Sequence, residues 1–309
     1  MRVLVTGGAG YIGSELVFQL AKIPDVEEII VYDNLSKANY NLFISHSNKI
    51  DRKNVKFVMG DLLDTRKLQK ALKGIDVVYH LAAKVTNPYN GADSDIFEQV
   101  NHWGTAELTY AVEEAGVKQL IHLSSAGVYG FSPKKQEITE DSRLNPRTFY
   151  SISKMRAEGH ALRLKDKMNV VVFRAANVYG YTPVIRFDAV INKFLFDSHF
   201  NGQISIHGSG KQVRPFIHVK NLVKALLVPL KTEVESDVYN LIQRNTSILD
   251  LVDIYKALYP ELEFIFINQH LELRDLKISL SSKFDQYLKI EEGNLKAEIE
   301  EAKEEAFAF

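Results

Sequence analysis

Residues 3–13 constrain this chain more than any other stretch. Val3-Leu4-Val5 runs into Thr6-Gly7-Gly8-Ala9-Gly10-Tyr11-Ile12-Gly13, and a second apolar run, Glu28 to Tyr32, ends on Asp33. A buried strand, a glycine turn, an amphipathic helix and an acid about twenty residues on let backbone N–H groups approach an anion with no Cβ in the way. The anion that suits the unit is a pyrophosphate on the N-terminus of the helix opening near Tyr11. Asp33 then stands where a carboxylate accepts both hydroxyls of an adenosine ribose, which favours NAD because a 2′-phosphate would meet an unpaired negative charge. The glycines read in two registers, Gly8, Gly10 and Gly13 as G-x-G-x-x-G or Gly7, Gly10 and Gly13 as G-x-x-G-x-x-G.

Composition matters mainly for what it excludes. A length of 309 residues suits a large core with a smaller lobe attached. The net charge of −1 leaves no electrostatic footprint for nucleic acid or an acidic membrane surface. With no cysteine there is no thiolate nucleophile and no Cys-ligated metal. The nine histidines show no H-E-x-x-H or similar spacing, so no metal is expected. No apolar run reaches the length of a membrane span, and the N-terminus reads as a core strand rather than a signal peptide, so the expected location is cytoplasmic.

Beyond Asp33 the chain alternates strand and helix. Val55 to Met59 is a third strand ending at Gly60-Asp61; Asp61 either reaches an adenine or caps a helix, and both readings stand. A helix over Thr65 to Lys73 leads to a strand over Asp76 to Leu81, followed by Ala82-Ala83, small enough for a cofactor to lie against. Ile96, Val100, Trp103, Leu108 and Val112 recur at helical spacing within a long helix from about Asp93 to Ala115. Trp103 reads as core or subunit packing, with a ligand role as the alternative. A fifth strand, Gln119 to Leu123, ends on Ser124-Ser125. Parallel strands joined by helices predict an α/β fold, a Rossmann-type doubly wound sheet with ligands along its carboxyl edge.

The chemistry follows that strand. Tyr150 and Lys154, at i and i+4 on a helix, share one face. A free phenol has a pKa of about 10 and is a poor base near neutrality. A cation about 4 Å away at an effective dielectric of about 20 contributes roughly 4 kcal/mol, about three pKa units before screening. Lys154, helped by an oxidised nicotinamide, is therefore expected to bring Tyr150 toward operating pH.

With these motifs assembled, the chain resembles the extended short-chain dehydrogenase/reductase family, the NAD-dependent sugar-nucleotide epimerases and dehydratases, UDP-glucose 4-epimerase among them. The resemblance runs from Met1 to about Gln286. It rests on Thr6 to Gly13, Asp33-Asn34, Gly60-Asp61, His80-Leu81-Ala82-Ala83, Ser124 to Gly130, Tyr150 with Lys154, and Phe173 to Gly180. Gly208-Ser209-Gly210, Arg214 to Val219 and Val238 to Leu241 continue it. It implies that Ser125, Tyr150 and Lys154 are catalytic, with Tyr150 as acid/base and Lys154 on the nicotinamide ribose. It implies NAD contacts at Gly7, Gly10, Tyr11, Ile12, Gly13, Asp33, Asn34, Asp61, Leu62, Leu81, Ala82, Ala83 and Asn101, besides Tyr150 and Lys154. Substrate contacts are implied at Ser124, Ser125, Tyr150, Asn177 and Arg214; a guanidinium fork also suits phosphate on its own chemistry.

Departures from the family narrow the reaction. Its dehydratases carry Asp-Glu where this chain has Ala126-Gly127, and related decarboxylases keep a Glu there. What remains fits epimerisation of a nucleotide-diphosphate sugar or simple alcohol/ketone redox, and the triad supports both equally. A non-catalytic dinucleotide-binding scaffold is the remaining class. Residues 1–176 are expected to form the NAD-binding domain and 177–309 mainly the substrate lobe, with about 212–241 returning to the Rossmann core. Ile185 to Asp188 and Asn192 are expected to open a helix at the substrate mouth, Arg186 to Asp188 either contacting sugar or locking the lobe. Asn294 to Ala306 reads as a solvated helix, with Phe307 and Phe309 tucked back or framing a contact. The family pairs as homodimers through a four-helix bundle, here implied for the 93–115 helix and the one carrying Tyr150.

Overall fold

A computed structural model describes residues 1–44, 54–85, 94–132, 137–270 and 273–307. The first half runs β1 (Arg2–Thr6), α1 (Tyr11–Leu20), β2 (Glu28–Asp33), α2 (Asn41–Ile44), β3 (Val55–Met59), α3 (Thr65–Ala71), β4 (Val77–His80), α4 (Ser94–Phe97), α5 (Gly104–Glu114), β5 (Gln119–Ser125), α6 (Phe149–Leu162) and β6 (Asn169–Ala175). The second runs β7 (Asn177–Tyr179), α7 (Val190–Phe196), β8 (Gln203–His207), β9 (Val213–His218), α8 (Val219–Lys231), β10 (Val238–Leu241), β11 (Arg244–Ser247), α9 (Ile248–Leu258), β12 (Glu263–Ile267) and α10 (Leu295–Phe307).

Seven strands form one parallel sheet in the order β10-β6-β5-β4-β1-β2-β3. Both faces are covered, so β1 and β5 are apolar runs rather than alternating ones. Val3 and Val5 point into the core shared with α1 and α8, while Leu4 points into the core on the other face with Leu68, Leu72 and Val112. The strand order reverses between β1 and β4, which opens a crevice at their carboxyl ends. The fold is the doubly wound Rossmann-type sheet expected, with two more strands than the five legible in the first half. A three-stranded sheet (β11-β9-β7) and a pair (β12-β8) accompany a third core around Tyr179, Phe194, Phe216 and Tyr255.

Several local expectations are corrected. The helix anticipated over 93–115 is α4 and α5 joined by a wider π-helical turn at Glu98–Trp103; Asp93 lies outside the described residues. The turn carries Asn101 inward, 1% exposed, and leaves Trp103 56% exposed, so Trp103 is not a core residue. Arg186 to Asp188 precedes α7 instead of opening it, and α3 stops at Ala71. The C-terminal helix is solvated on one side only, since Leu295, Ile299 and Ala302 are buried in the third core. Phe307 does fold back, stacking on His199 with ring centroids 4.5 Å apart, while Phe309 lies outside the described residues. No helix among the described residues is long and apolar enough to cross a membrane.

Phe173, on β6, is fully buried and meets Phe284 edge to face at 5.0 Å. Phe173→Ala is expected to destabilise the fold by about 3–5 kcal/mol in urea titrations, and a loss under about 1 kcal/mol would contradict this packing.

Candidate active site

The glycine turn leaves no room for a side chain in either register, and only Gly7 is also left-handed. Gly7 is left-handed, with φ +69°, and a Cβ there would lie 2.6 Å from the Ala82 backbone nitrogen. A Cβ on Gly13 would lie 2.2 Å from the Gly7 carbonyl oxygen. Backbone therefore packs tightest on backbone at Gly7 and Gly13, while a Cβ on Gly10 would lie 3.1 Å from Gly7 O and one on Gly8 2.9 Å from Val31 Cγ1 and 3.1 Å from Val5 O. Gly10 is the N-cap of α1 and no side chain caps the helix, so its first-turn N–H groups face the crevice as an anion seat. Asp33 closes the crevice wall: Oδ1 accepts from Leu35 N at 2.9 Å and Oδ2 from Ala9 N at 3.1 Å. Burial outweighs those two bonds and raises its carboxyl above the usual range.

The remaining residues expected at the cofactor divide. Asn34 and Asp61 are tied together, Asn34 Nδ2 donating to Asp61 Oδ2 at 2.8 Å across the ends of β2 and β3. Asp61 is not the helix cap; Asp64 is, accepting from Lys67 N. The Leu62 side chain is buried against Gly104, so it serves the core. The Tyr11 hydroxyl donates to the Gly180 carbonyl at 2.6 Å and receives Asn192 Nδ2, tying the start of α1 to the residue after β7 and to α7. Ile12 and Leu81 pack on the first core, and Ala82 and Ala83 stay partly exposed beside Gly7.

Asn101 is hydrogen-bonded to protein through both ends of its amide. Its Oδ1 accepts from Lys84 N at 2.7 Å, and its Nδ2 donates to Lys84 O and Ser153 Oγ, each at 3.0 Å. Its side chain thus holds the backbone of Lys84 after β4. Beneath it Thr105 donates to Asn101 O, His80 Nε2 meets Thr105 and Thr6 meets His80 Nδ1, linking the ends of β1 and β4.

Ser125, Tyr150 and Lys154 come together. Ser125 ends β5, its Oγ accepting from Gly127 N at the head of the 3₁₀ turn Ala126–Tyr129. Thr148 and Ser151 cap α6 reciprocally, which fixes the helix start one residue before Tyr150. The phenol lies near the Ser125 hydroxyl. Burial pushes its pKa up, while the Arg186 guanidinium and then the Ser125 side chain pull it down. Burial prevails, and the opposing cation is Arg186 rather than the Lys154 expected, with an oxidised nicotinamide, to depress the phenol. Lys154 is 3% exposed and donates to the Leu123 carbonyl at 2.5 Å. Burial lowers its ammonium to about 8, against a rise caused by Glu158.

Ser124 does not face the crevice. It points to the other side of β5, is 4% exposed and donates to Glu158, so it is corrected from substrate contact to partner of a buried ion pair. That pair, Glu158 with Arg174, escaped sequence reasoning, although two signals carried it. Glu158 stands four residues after Lys154, and Arg174 interrupts the apolar run Val170 to Phe173.

In the smaller sheet, Asn177 Nδ2 donates to Pro215 O at 2.9 Å and Arg214 Nη1 to Val213 O and Arg274 O. β7 pairs with β9, so both residues expected at the substrate belong to one sheet. Arg186 makes a two-pronged ion pair with Asp188, and its charge acts on both Tyr150 and Tyr11.

The sheet and its glycine turn define a Rossmann-type dinucleotide-binding protein. The family model of the NAD dependent epimerase/dehydratase family matches residues 3–241. Human dTDP-D-glucose 4,6-dehydratase is 36% identical over 245 residues, 78% of this chain and 68% of that one. UDP-glucose 4-epimerase of Lactobacillus helveticus is 32% identical over 263 residues, 78% of this chain and 76% of that one. The solved structure of UDP-N-acetylglucosamine 4-epimerase from Methanobrevibacter ruminantium M1, in complex with UDP-N-acetylmuramic acid, aligns with a TM-score of 0.86 at 26% identity, covering 99% of this chain and 98% of that one. The chain belongs to the NAD dependent epimerase/dehydratase family, and NAD is its cofactor. The residues fit that group: the turn leaves no room for a Cβ at Gly7 or Gly13, and Asp33 stands at the end of β2.

Gly13→Ala is expected to force Gly7 and Gly13 apart and weaken NAD binding at least about tenfold, read by calorimetric titration of the folded variant. Wild-type affinity would contradict the close approach.

Proposed function

We propose that the chain epimerises a nucleotide-diphosphate sugar, at C4, through a transient keto sugar. Tyr150 removes the proton of the sugar hydroxyl and later returns it, and Ser125 aligns that hydroxyl against the phenol. When bound, NAD supplies the hydride acceptor and then the donor at the same carbon. The Gly7-Gly10-Gly13 turn and Asp33 would hold its adenosine diphosphate, and Lys154 its nicotinamide ribose. Asn177 and Arg214 are the groups we assign to the substrate, Arg214 for its fork of donors.

The observation that carries this reading is the Ala126–Tyr129 turn after Ser125. Loss of water from the keto sugar needs a proton donor and acceptor beside the ring, and Ala126 and Gly127 offer neither. A Cβ on Gly127 would already lie 3.3 Å from Ser125 Oγ. These residues favour returning the hydride to the carbon it left. Net redox, with release of a keto product, is the second reading, supported by the same triad.

We also infer a homodimer. Trp103, Tyr110 and Phe149 are 56%, 57% and 58% exposed on the π-helical turn, α5 and α6, a face whose large apolar groups a second copy would cover.

Incubation with UDP-, GDP- and dTDP-sugars, read by NMR, is expected to give a C4 epimer without added cofactor turnover. A 4-keto-6-deoxy product, or reduction of NAD by an alcohol with no sugar nucleotide changed, would overturn the epimerase reading. Tyr150→Phe is expected to lose turnover about a thousandfold or more while keeping NAD affinity; unchanged turnover would remove Tyr150 from the chemistry.

A further inference from the structure

The reaction above uses Ser125, Tyr150 and Lys154, yet a second pair of charges is buried beneath them. Tyr150, Lys154 and Glu158 follow at intervals of four on α6, sharing one helix face with successive Cβ atoms about 6 Å apart. Glu158 is 2% exposed and Arg174 is 5% exposed. Arg174 Nη2 donates to Oε2 at 2.8 Å and Nε to Oε1 at 3.0 Å, and Ser124 Oγ donates to Oε1 as well. Arg174 is anchored in turn, its Nη1 donating to the Tyr129 hydroxyl at 2.8 Å and to Glu140 O. A pair buried this deeply offers little net stability over apolar packing of the same volume, so stability alone does not account for it.

We propose that Glu158 is a positioning residue of the active site: clamped by Arg174 and Ser124 one helical turn from Lys154, its carboxylate is the fixed anion that keeps the lysine an ammonium. This rests on the reading of Lys154 as the cation of the reaction. The groups around the lysine leave no other candidate among the described residues. His80 on β4 and His122 on β5 both sense the Lys154 charge, but burial holds His80 down to about 3 and His122 well below its ordinary value, so both are neutral. Tyr150 on α6 has a raised pKa and is uncharged at neutrality, and Arg174 on β6 is cationic. Glu158 is the group that raises Lys154 against its burial. With Lys154 set to about 8, the ammonium present at neutral pH is lost as pH rises through that value.

The test follows Lys154 directly. In protein labelled at lysine ¹³Cε, with the Lys154 signal assigned by its loss in Lys154→Arg, the wild-type titration midpoint is expected near 8. Glu158→Gln is expected to move that midpoint down by about one pH unit or more, as for a unit charge about 6 Å away at an effective dielectric of about 20 after partial screening. The alkaline limb of turnover should move with it. A folded Glu158→Gln protein with the wild-type midpoint would overturn the proposal. Because that variant leaves Arg174 unpaired, the double variant Glu158→Met with Arg174→Met supplies a form with no orphaned charge. A downward shift is expected there too, smaller because the Arg174 charge leaves together with the carboxylate, and an unmoved midpoint again overturns it. A wild-type midpoint below about 7 overturns it without any variant, since the lysine would then be mostly neutral at neutrality despite the carboxylate. The NMR titration needs no substrate, so a silent sugar panel with a shifted midpoint would sink the epimerase reading and leave this one standing.

Discussion

The backbone contact between Gly7 and Ala82 is the constraint on which the rest depends. A parallel sheet whose strand order reverses between β1 and β4 leaves a crevice there, and how close the two strand ends approach sets its depth. They approach until a single Cβ would not fit, and Gly13 lets α1 start against the same turn. Thr6, His80, Thr105 and Asn101 then tie both strand ends to the helix behind, leaving none of these side chains unpaired. Because Asn101 sits on a π-helical turn, it faces inward while Trp103 faces out. The local helix distortion and the shape of the crevice are one feature.

The second organising force is electrostatic and lies on the opposite side of β5. Adjacent residues on a strand point to opposite faces, so Ser125 meets Tyr150 at the crevice while Ser124 meets Glu158 below. The helix that brings Tyr150 to Ser125 therefore also brings Glu158 to Arg174 on β6. Burial raises the phenol and lowers the lysine, the two directions that disfavour charge in a dry setting. Arg186 and Glu158 each oppose one of those shifts from outside the Tyr-Lys pair.

Legibility tracked the range of the interaction. The strands, the glycine turn, Asp33 and the Tyr150 helix are written locally, in hydrophobic runs, turn residues and i, i+4 spacing. Asp61 against Asp64 as the cap of α3, the start of α7 and the break at Glu98–Trp103 depend on small differences between competing local conformations. Neighbouring elements decide those. Ser124 and Leu62 were assigned by their place in a motif, and a motif does not say on which face a side chain emerges. The solvated reading of α10 failed for a related reason: its apolar face is short, Leu295, Ile299 and Ala302, and only its seat on the third core gives those residues weight.

By itself the chain determined a doubly wound sheet, a dinucleotide seat and a Ser-Tyr-Lys group at the sheet's carboxyl edge. The sheet, the glycine turn and the Tyr150–Lys154 pair follow from residues a few positions apart, where backbone geometry ties spacing to direction; Ser125 joined them only through the resemblance to the family. Which glycine packs on the residues after β4, which serine faces the crevice, and which charges bear on the phenol and the lysine were decided by tertiary structure alone. Those outcomes join residues far apart in sequence, such as Tyr150 with Arg186 and Ser124 with Glu158. The burial that sets their energies exists only once the layers have closed.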